Sequence, residues 1–140
     1  MIDLWHATPG GEDKVKAAEH LFDHPVSIEA AAQFLERDEN HLVIAYVDGE
    51  PAGYVSGTDL FHPDREQPEM FLNELAVDAA FRGRGIGRAL AAGLWEIAQA
   101  RGCRGMWVLT DDDNVAATKT YGSAGGSRVG ESVMFQWGET

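Results

Sequence analysis

Apolar positions along the chain change period several times, and each change marks an element. After Thr8-Pro9-Gly10-Gly11, residues Val15, Ala18 and Phe22 recur at helical spacing. Beyond His24-Pro25, Ser27 is a helix N-cap opening a second short helix with Ile28, Ala31 and Leu35 on one face. The first forty residues therefore read as helical. From His41 to Val47 the run is continuously apolar, Asp48-Gly49-Glu50 is a hairpin turn signal, and Pro51 to Thr58 answers as the second antiparallel strand. Leu60 to Pro68 is polar and proline-broken and reads as a loop. A strand follows over Glu69 to Val77.

The strongest helical period lies in Ile86, Leu90, Leu94 and Ile97, with Gly102 as the stop. Trp95 sits off that stripe, covering a neighbouring element or meeting a second subunit. A strand over Met106 to Thr110 runs into Asp111-Asp112-Asp113-Asn114, a helix spans Val115 to about Ala124 before Gly125-Gly126, and strands at 127–129 and 132–137 close the chain. This order predicts a mixed α/β (α+β) single domain over residues 1–140. The strands 69–77 and 106–110, joined through a helix, should be parallel and able to splay at one end. The gap of such a splay is where a ligand enters an open sheet.

Composition narrows the chemistry. The 23 acidic residues against 11 basic ones give a net charge of -12, which repels nucleic acid and anionic membranes and favours a small cationic partner such as a polyamine; solubility alone is the competing explanation. No apolar run approaches membrane-spanning length, and Met1-Ile2-Asp3-Leu4-Trp5 is no signal peptide, so a cytoplasmic protein is expected. One cysteine, Cys103, excludes an internal disulfide, and the five histidines lack metal-binding spacing; no metal is expected.

Against this acidity, Arg82-Gly83-Arg84-Gly85-Ile86-Gly87-Arg88 stands out. Glycines let the backbone turn and approach a ligand, while the first free amides of the next helix point into the same space with the positive end of its dipole. That is an anion site, and Arg82, Arg84 and Arg88 fit it to a multiply charged anion. A P-loop would need Lys and Ser or Thr after the glycine, and a dinucleotide fingerprint would need a third glycine that Leu90 replaces.

Arg82-x-x-Gly85-x-Gly87 resembles the pyrophosphate loop of the GNAT N-acetyltransferase superfamily, preceded by a strand ending Asn73-Glu74-Leu75-Ala76-Val77. Asn114-x-x-Ala117-x-x-x-Tyr121-x-x-x-Gly125 resembles that family's second motif, the helix along the pantetheine arm. The resemblance covers nearly the whole chain. It implies a GNAT fold and acetyl-CoA as cofactor, held by amides from Arg84 to Arg88 and by the Leu75 to Val77 strand, with an oxyanion donor at the N–H of Leu75 or Ala76. Asn114 would bind pantetheine or cap its helix.

Within the family, the run from Glu66 to Val77 with Thr110-Asp111 is most similar to aminoglycoside 3-N-acetyltransferases of type I, which implies an aminoglycoside amine as acceptor. A short N-terminal segment and Gly126 in place of an aromatic depart from that branch. A polyamine, amino acid or protein amine, or a non-catalytic CoA-binding regulator, are the alternatives.

Direct transfer of an acetyl group to an amine requires a base for the ammonium and an acid for the leaving thiolate. Glu74, a charge in an apolar strand, is the first candidate base, with an arginine ion pair as its competing role. Asp111 is the second candidate and, with Asp112, a substrate-binding residue; Asp112 and Asp113 also suit a solvated helix-capping loop. Tyr121 is the expected general acid, against plain packing on the sheet. A homodimer through Trp95, Trp5 or the closing strands is a further expectation.

Overall fold

The computed structural model describes residues 1–130 and 132–139. Five strands form one mixed sheet in sequence order, β1 (Ile2–His6), β2 (Asn40–Val47), β3 (Glu50–His62), β4 (Arg65–Val77) and β5 (Met106–Trp107). All neighbours are antiparallel except β4 and β5, which are parallel. Helices α1 (Glu12–Ala17) and α2 (Ile28–Glu36) cover one face; α3 (Ile86–Ala100) and α4 (Val115–Ser123) lie on the other. No helix among the described residues is long and apolar enough to cross a membrane.

Each face has its own core. Val43, Val55, Met70 and Leu72 pack against the predicted stripe of Ile86, Leu90 and Leu94 on α3. On the other face Leu42, Ile44 and Tyr54 meet Val15, Leu21 and Leu35 from α1, α2 and the turn between them. Burying these side chains out of water, at about 25 cal/mol per Å² of apolar surface, fixes which face each strand presents.

The hairpin joining β2 and β3 closes as expected. Asp48 and Gly49 take φ of 51° and 81°, the paired positive values that a two-residue turn matched to strand twist demands. Trp95 is half-buried against the core that α3 shares with the sheet.

Four expectations need correction. The N-terminus is a strand, β1, paired to β2 from Ile2↔Val47 to His6↔Val43; as a short edge strand exposed along one side it carries no clean alternation. The first helix stops at Ala17, and Phe22 lies past a 3₁₀ turn at Glu19–Leu21. The supposed loop 60–68 is strand on both sides of a Pro63-Asp64 turn, because the register slips between Leu60 and His62 and lets Pro68 sit where no ladder amide is needed. Finally, β5 holds only two residues, and 127–130 and 132–137 take no strand conformation: Val133, Phe135 and Trp137 are exposed, and so short a β5 offers little ladder to a further strand.

Candidate functional site

The site begins with a fault in a ladder. Ser56 faces Glu74 and Gly57 faces Leu72, so Asn73 is an extra residue in β4, a β-bulge. Without it Leu72, Glu74 and Ala76 would share a face. With it, Leu75 and Val77 turn toward α3, while Glu74 and Ala76 turn toward α1 and α2.

On the other edge of β4, pairing with β5 stops at Met70↔Met106 and Phe71↔Trp107. Beyond that point the two segments no longer pair, leaving the edge of β4 from Leu72 to Val77 without a strand partner. The amide of Asp78 donates to Ala52 O on β3 at 2.8 Å. By the period of two, the N–H groups of Val77 and Leu75 point away from β3 into the gap, and that of Ala76 points toward β3. Of the two proposed oxyanion donors only Leu75 therefore faces the gap.

The start of α3 lies at the near end of this opening. Gly83 and Gly85 have φ of 79° and 80°, with no atom near the position a Cβ would take. They are glycine because the left-handed backbone is costly for any other residue. Gly87 serves differently: a Cβ there would stand 3.0 Å from Thr120 Cγ2, so its bare backbone lets α3 approach α4.

The first backbone amide to find an intrahelical partner is Ala89, which donates to Gly85 O at 3.0 Å. Those of Arg84, Gly85, Ile86, Gly87 and Arg88 have no acceptor among the described residues. Around them, Arg82 donates through Nε to Val77 O at 3.4 Å and Arg84 lies over the Phe81 ring at 5.3 Å. Neither these two nor Arg88 pairs with a carboxylate among the described residues. Three exposed guanidinium groups left unpaired in a chain of net charge -12 are, with the free amides, groups that could hold a multiply charged anion.

From the other side of the gap comes α4. Asn114 is its N-cap, with Oδ1 accepting from the amide of Ala117 at 3.0 Å. Tyr121 packs half-buried against the α3 core, its hydroxyl without a hydrogen-bond partner among the described residues; burial pushes its pKa above the usual phenol value, so it stays protonated at neutral pH. Asp111 and Asp112 are exposed past the diverging end of β5, and Asp112 pairs with Arg128.

Glu74 is exposed rather than sealed in an apolar strand, and no arginine pairs with it; its Oε2 accepts from the Tyr54 hydroxyl at 3.3 Å. Burial, and then the Glu74 charge, drive the Tyr54 pKa upward, so Tyr54 remains a donor that orients the carboxylate. Both border a cavity of about 460 Å³ between α2, the segment before it and the sheet. Asn73 and Glu74 line this cavity and also begin the open edge of β4, so the cavity and the gap meet at the bulge. Sequence reasoning missed Tyr54 and the cavity; the bulge breaks the strand period that would have shown Tyr54 and Glu74 on one face.

Comparison with known proteins gives the family and the fold. Residues 5–125 match the acetyltransferase (GNAT) family. An uncharacterised N-acetyltransferase of Methanocaldococcus jannaschii is 34% identical over 88 residues, covering 62% of this chain and 39% of that protein. The chain spans between 29% and 39% of the length of the curated relatives it matches. In fold, an aminoglycoside acetyltransferase from an uncultured soil metagenomic sample, solved with sisomicin, superposes with a TM-score of 0.88 at 18% identity over 99% of this chain and 97% of its own. The aminoglycoside N-acetyltransferase AAC(6')-Iy in complex with CoA superposes with a TM-score of 0.76 at 21% identity over 98% and 95%. The parallel strands that part beyond Phe71, the glycine turn before α3 and the family match over most of the chain place this protein in the acetyltransferase (GNAT) family.

Proposed function

We propose that the chain is an acetyl-CoA-dependent N-acetyltransferase that acetylates a primary amine of a cationic small molecule by direct transfer. GNAT acetyltransferases use acetyl-CoA. The residues present fit it: a diphosphate needs a cradle of free amides and positive charge, and the Arg84 to Arg88 amides with Arg82, Arg84 and Arg88 supply both. The open N–H groups of Leu75 and Val77 match the amide groups of a pantetheine arm, alongside Asn114, Ala117 and Tyr121 of α4. Asn114 Oδ1 is already engaged in capping, and the cap holds the Ala117 amide. The cofactor supplies an acetyl group activated as a thioester.

The chain's own groups do the rest. A primary amine is mostly protonated at neutral pH and does not attack until its proton leaves. Glu74, held by Tyr54 at the junction of cavity and gap, takes that proton directly or through water. The Leu75 N–H, facing the gap, donates to the acyl oxygen as negative charge gathers there. Tyr121, a phenol neutral at pH 7 whose pKa burial raises further, provides the proton for the departing thiolate. The observation that carries this reading is the meeting of the cavity and the open β4 edge at Asn73-Glu74.

Its test is the pH–rate profile of Glu74→Gln. The substitution should lower kcat about a hundredfold, within the range of general-base contributions, and abolish the acid limb of the profile. An unchanged acid limb would move the base elsewhere, with Asp111 next in line.

A second reading has an aminoglycoside as acceptor, with the 3-N regiochemistry that the sequence resemblance implies. It is favoured by the net charge of -12 and by the exposed carboxylates of Asp111, Asp112 and Asp113, which would meet a polycation outside the cavity.

A further inference from the structure

The walls of the cavity beside Glu74 narrow the acceptor. Its lining is mixed: Phe22, Val26, Phe34 and Leu42 give it apolar walls and His24 and Asn73 polar ones, and Phe22 stacks on Tyr54 with ring centroids 4.2 Å apart. Its carboxylates are two, Asp23 and Glu74, and Glu74 is the one hydrogen-bonded to the Tyr54 hydroxyl. Beneath it the Ser56 hydroxyl is buried without a hydrogen-bond partner. A volume of about 460 Å³ lies within the range of pockets that enclose a compact small molecule.

Charge and shape then point the same way. The two carboxylates can hold the reacting ammonium, whereas an ammonium carried away from them, against Phe34 and Leu42, would be desolvated against apolar carbon with no counter-charge. An aromatic or branched aliphatic body, by contrast, gains from contact with Phe34 and Phe22.

We infer that the acceptor is a monoamine, a single primary ammonium carried on an apolar, preferably aromatic, body, with the ammonium at Glu74 and Asp23 and the body between α2 and the sheet. The inference rests on the N-acetyltransferase reading above and deepens it, and it opposes the polycation as the group that enters the cavity.

The experiment measures kcat/KM by release of free thiol, with saturating acetyl-CoA and the full chain, for 2-phenylethylamine, spermidine and sisomicin. The expected result is a preference of at least about tenfold for 2-phenylethylamine. Equal or better use of spermidine or sisomicin would overturn the inference and leave the N-acetyltransferase reading standing. No thiol release with any amine, from protein that binds CoA, would remove both. Ala30→Glu gives an independent check. Ala30 is an exposed lining residue three positions after the Ser27 cap, so glutamate there completes a favourable capping pair while adding a carboxylate at the rim. It should shift the preference toward spermidine by about tenfold, and an unmoved ratio would contradict the assignment of this cavity to the acceptor.

Discussion

The two ends of α3 treat charge in opposite ways. At its C-terminal end Arg101 donates to Asp59 at 2.5 Å and to Asp38 at 3.1 Å, and the same Asp59 carboxylate lies 3.0 Å from His41 Nε2 and 3.9 Å from Cys103 Sγ. Asp59 and His41 are buried, and each has a partner. At the N-terminal end three arginines have no anionic partner, and five consecutive amides no acceptor, among the described residues. Proteins satisfy buried polar groups internally, so the first cluster is a tie holding α3 to β2 and β3. A convergent set of unmatched donors beside an open strand edge is what a ligand completes. The contrast separates the charge that ties the helix down from the charge that the proposed cofactor site draws on.

The largest effect that would sharpen this contrast is expected at the tie. Asp59→Ala leaves Arg101 and His41 without their shared carboxylate and should cost about 3–5 kcal/mol of stability by denaturant unfolding. CoA affinity, measured on the folded fraction, should hold; a parallel loss would mean that the two ends are not independent. A smaller effect belongs to the ligand end. Tyr121→Phe should lower kcat roughly tenfold or more with little change in CoA affinity or melting temperature. Gly122→Ala, in open space on the same helix, is the control, and an equal loss there would break the general-acid assignment.

The smallest effect is one of pH and returns to the tie. His41 titrates below its ordinary value of 6.5, mainly because burial disfavours the charged ring and despite the opposing pull of Asp59. His6, whose ring lies 5.6 Å away, shifts the same way, again chiefly through burial and then through the His41 charge. Below pH 6.5 the unfolded chain therefore binds protons that the folded chain resists. The stabilisation is complete above that pH and is lost as pH falls through the folded values. The melting temperature should drop by a few degrees from about pH 7.5 to 5.5, and His41→Gln should flatten the slope. A slope unchanged in that variant would assign the effect to other groups.

What could be read from the sequence was whatever is local. The α3 stripe, the Asp48-Gly49 turn, the Ser27 and Asn114 caps and the glycine turn each follow from the conformation of a few neighbouring residues, and each stands where expected. What was missed depends on distant partners. The bulge at Asn73 shifts the strand period by one and so hides the pairing of Glu74 with Tyr54, twenty residues away. Asp59 lies just past the strand end drawn at Thr58, although a charge continuing the strand was the available signal for a buried carboxylate paired with Arg101. Residues 132–137 carry strand-like residues, yet pair with nothing among the described residues, since pattern supplies a face and not a partner.

The most direct measurement is a calorimetric titration of CoA into the wild-type chain, Gly85→Val and Gly102→Val. Gly85 and Gly102 flank the two ends of α3 with φ of 80° and 78° and open space around each, so valine strains both alike. The account predicts saturable binding to the wild type, weakened at least about thirtyfold in Gly85→Val and unchanged within about twofold in Gly102→Val. Equal affinity in all three proteins would show that the diphosphate is not held at the start of α3.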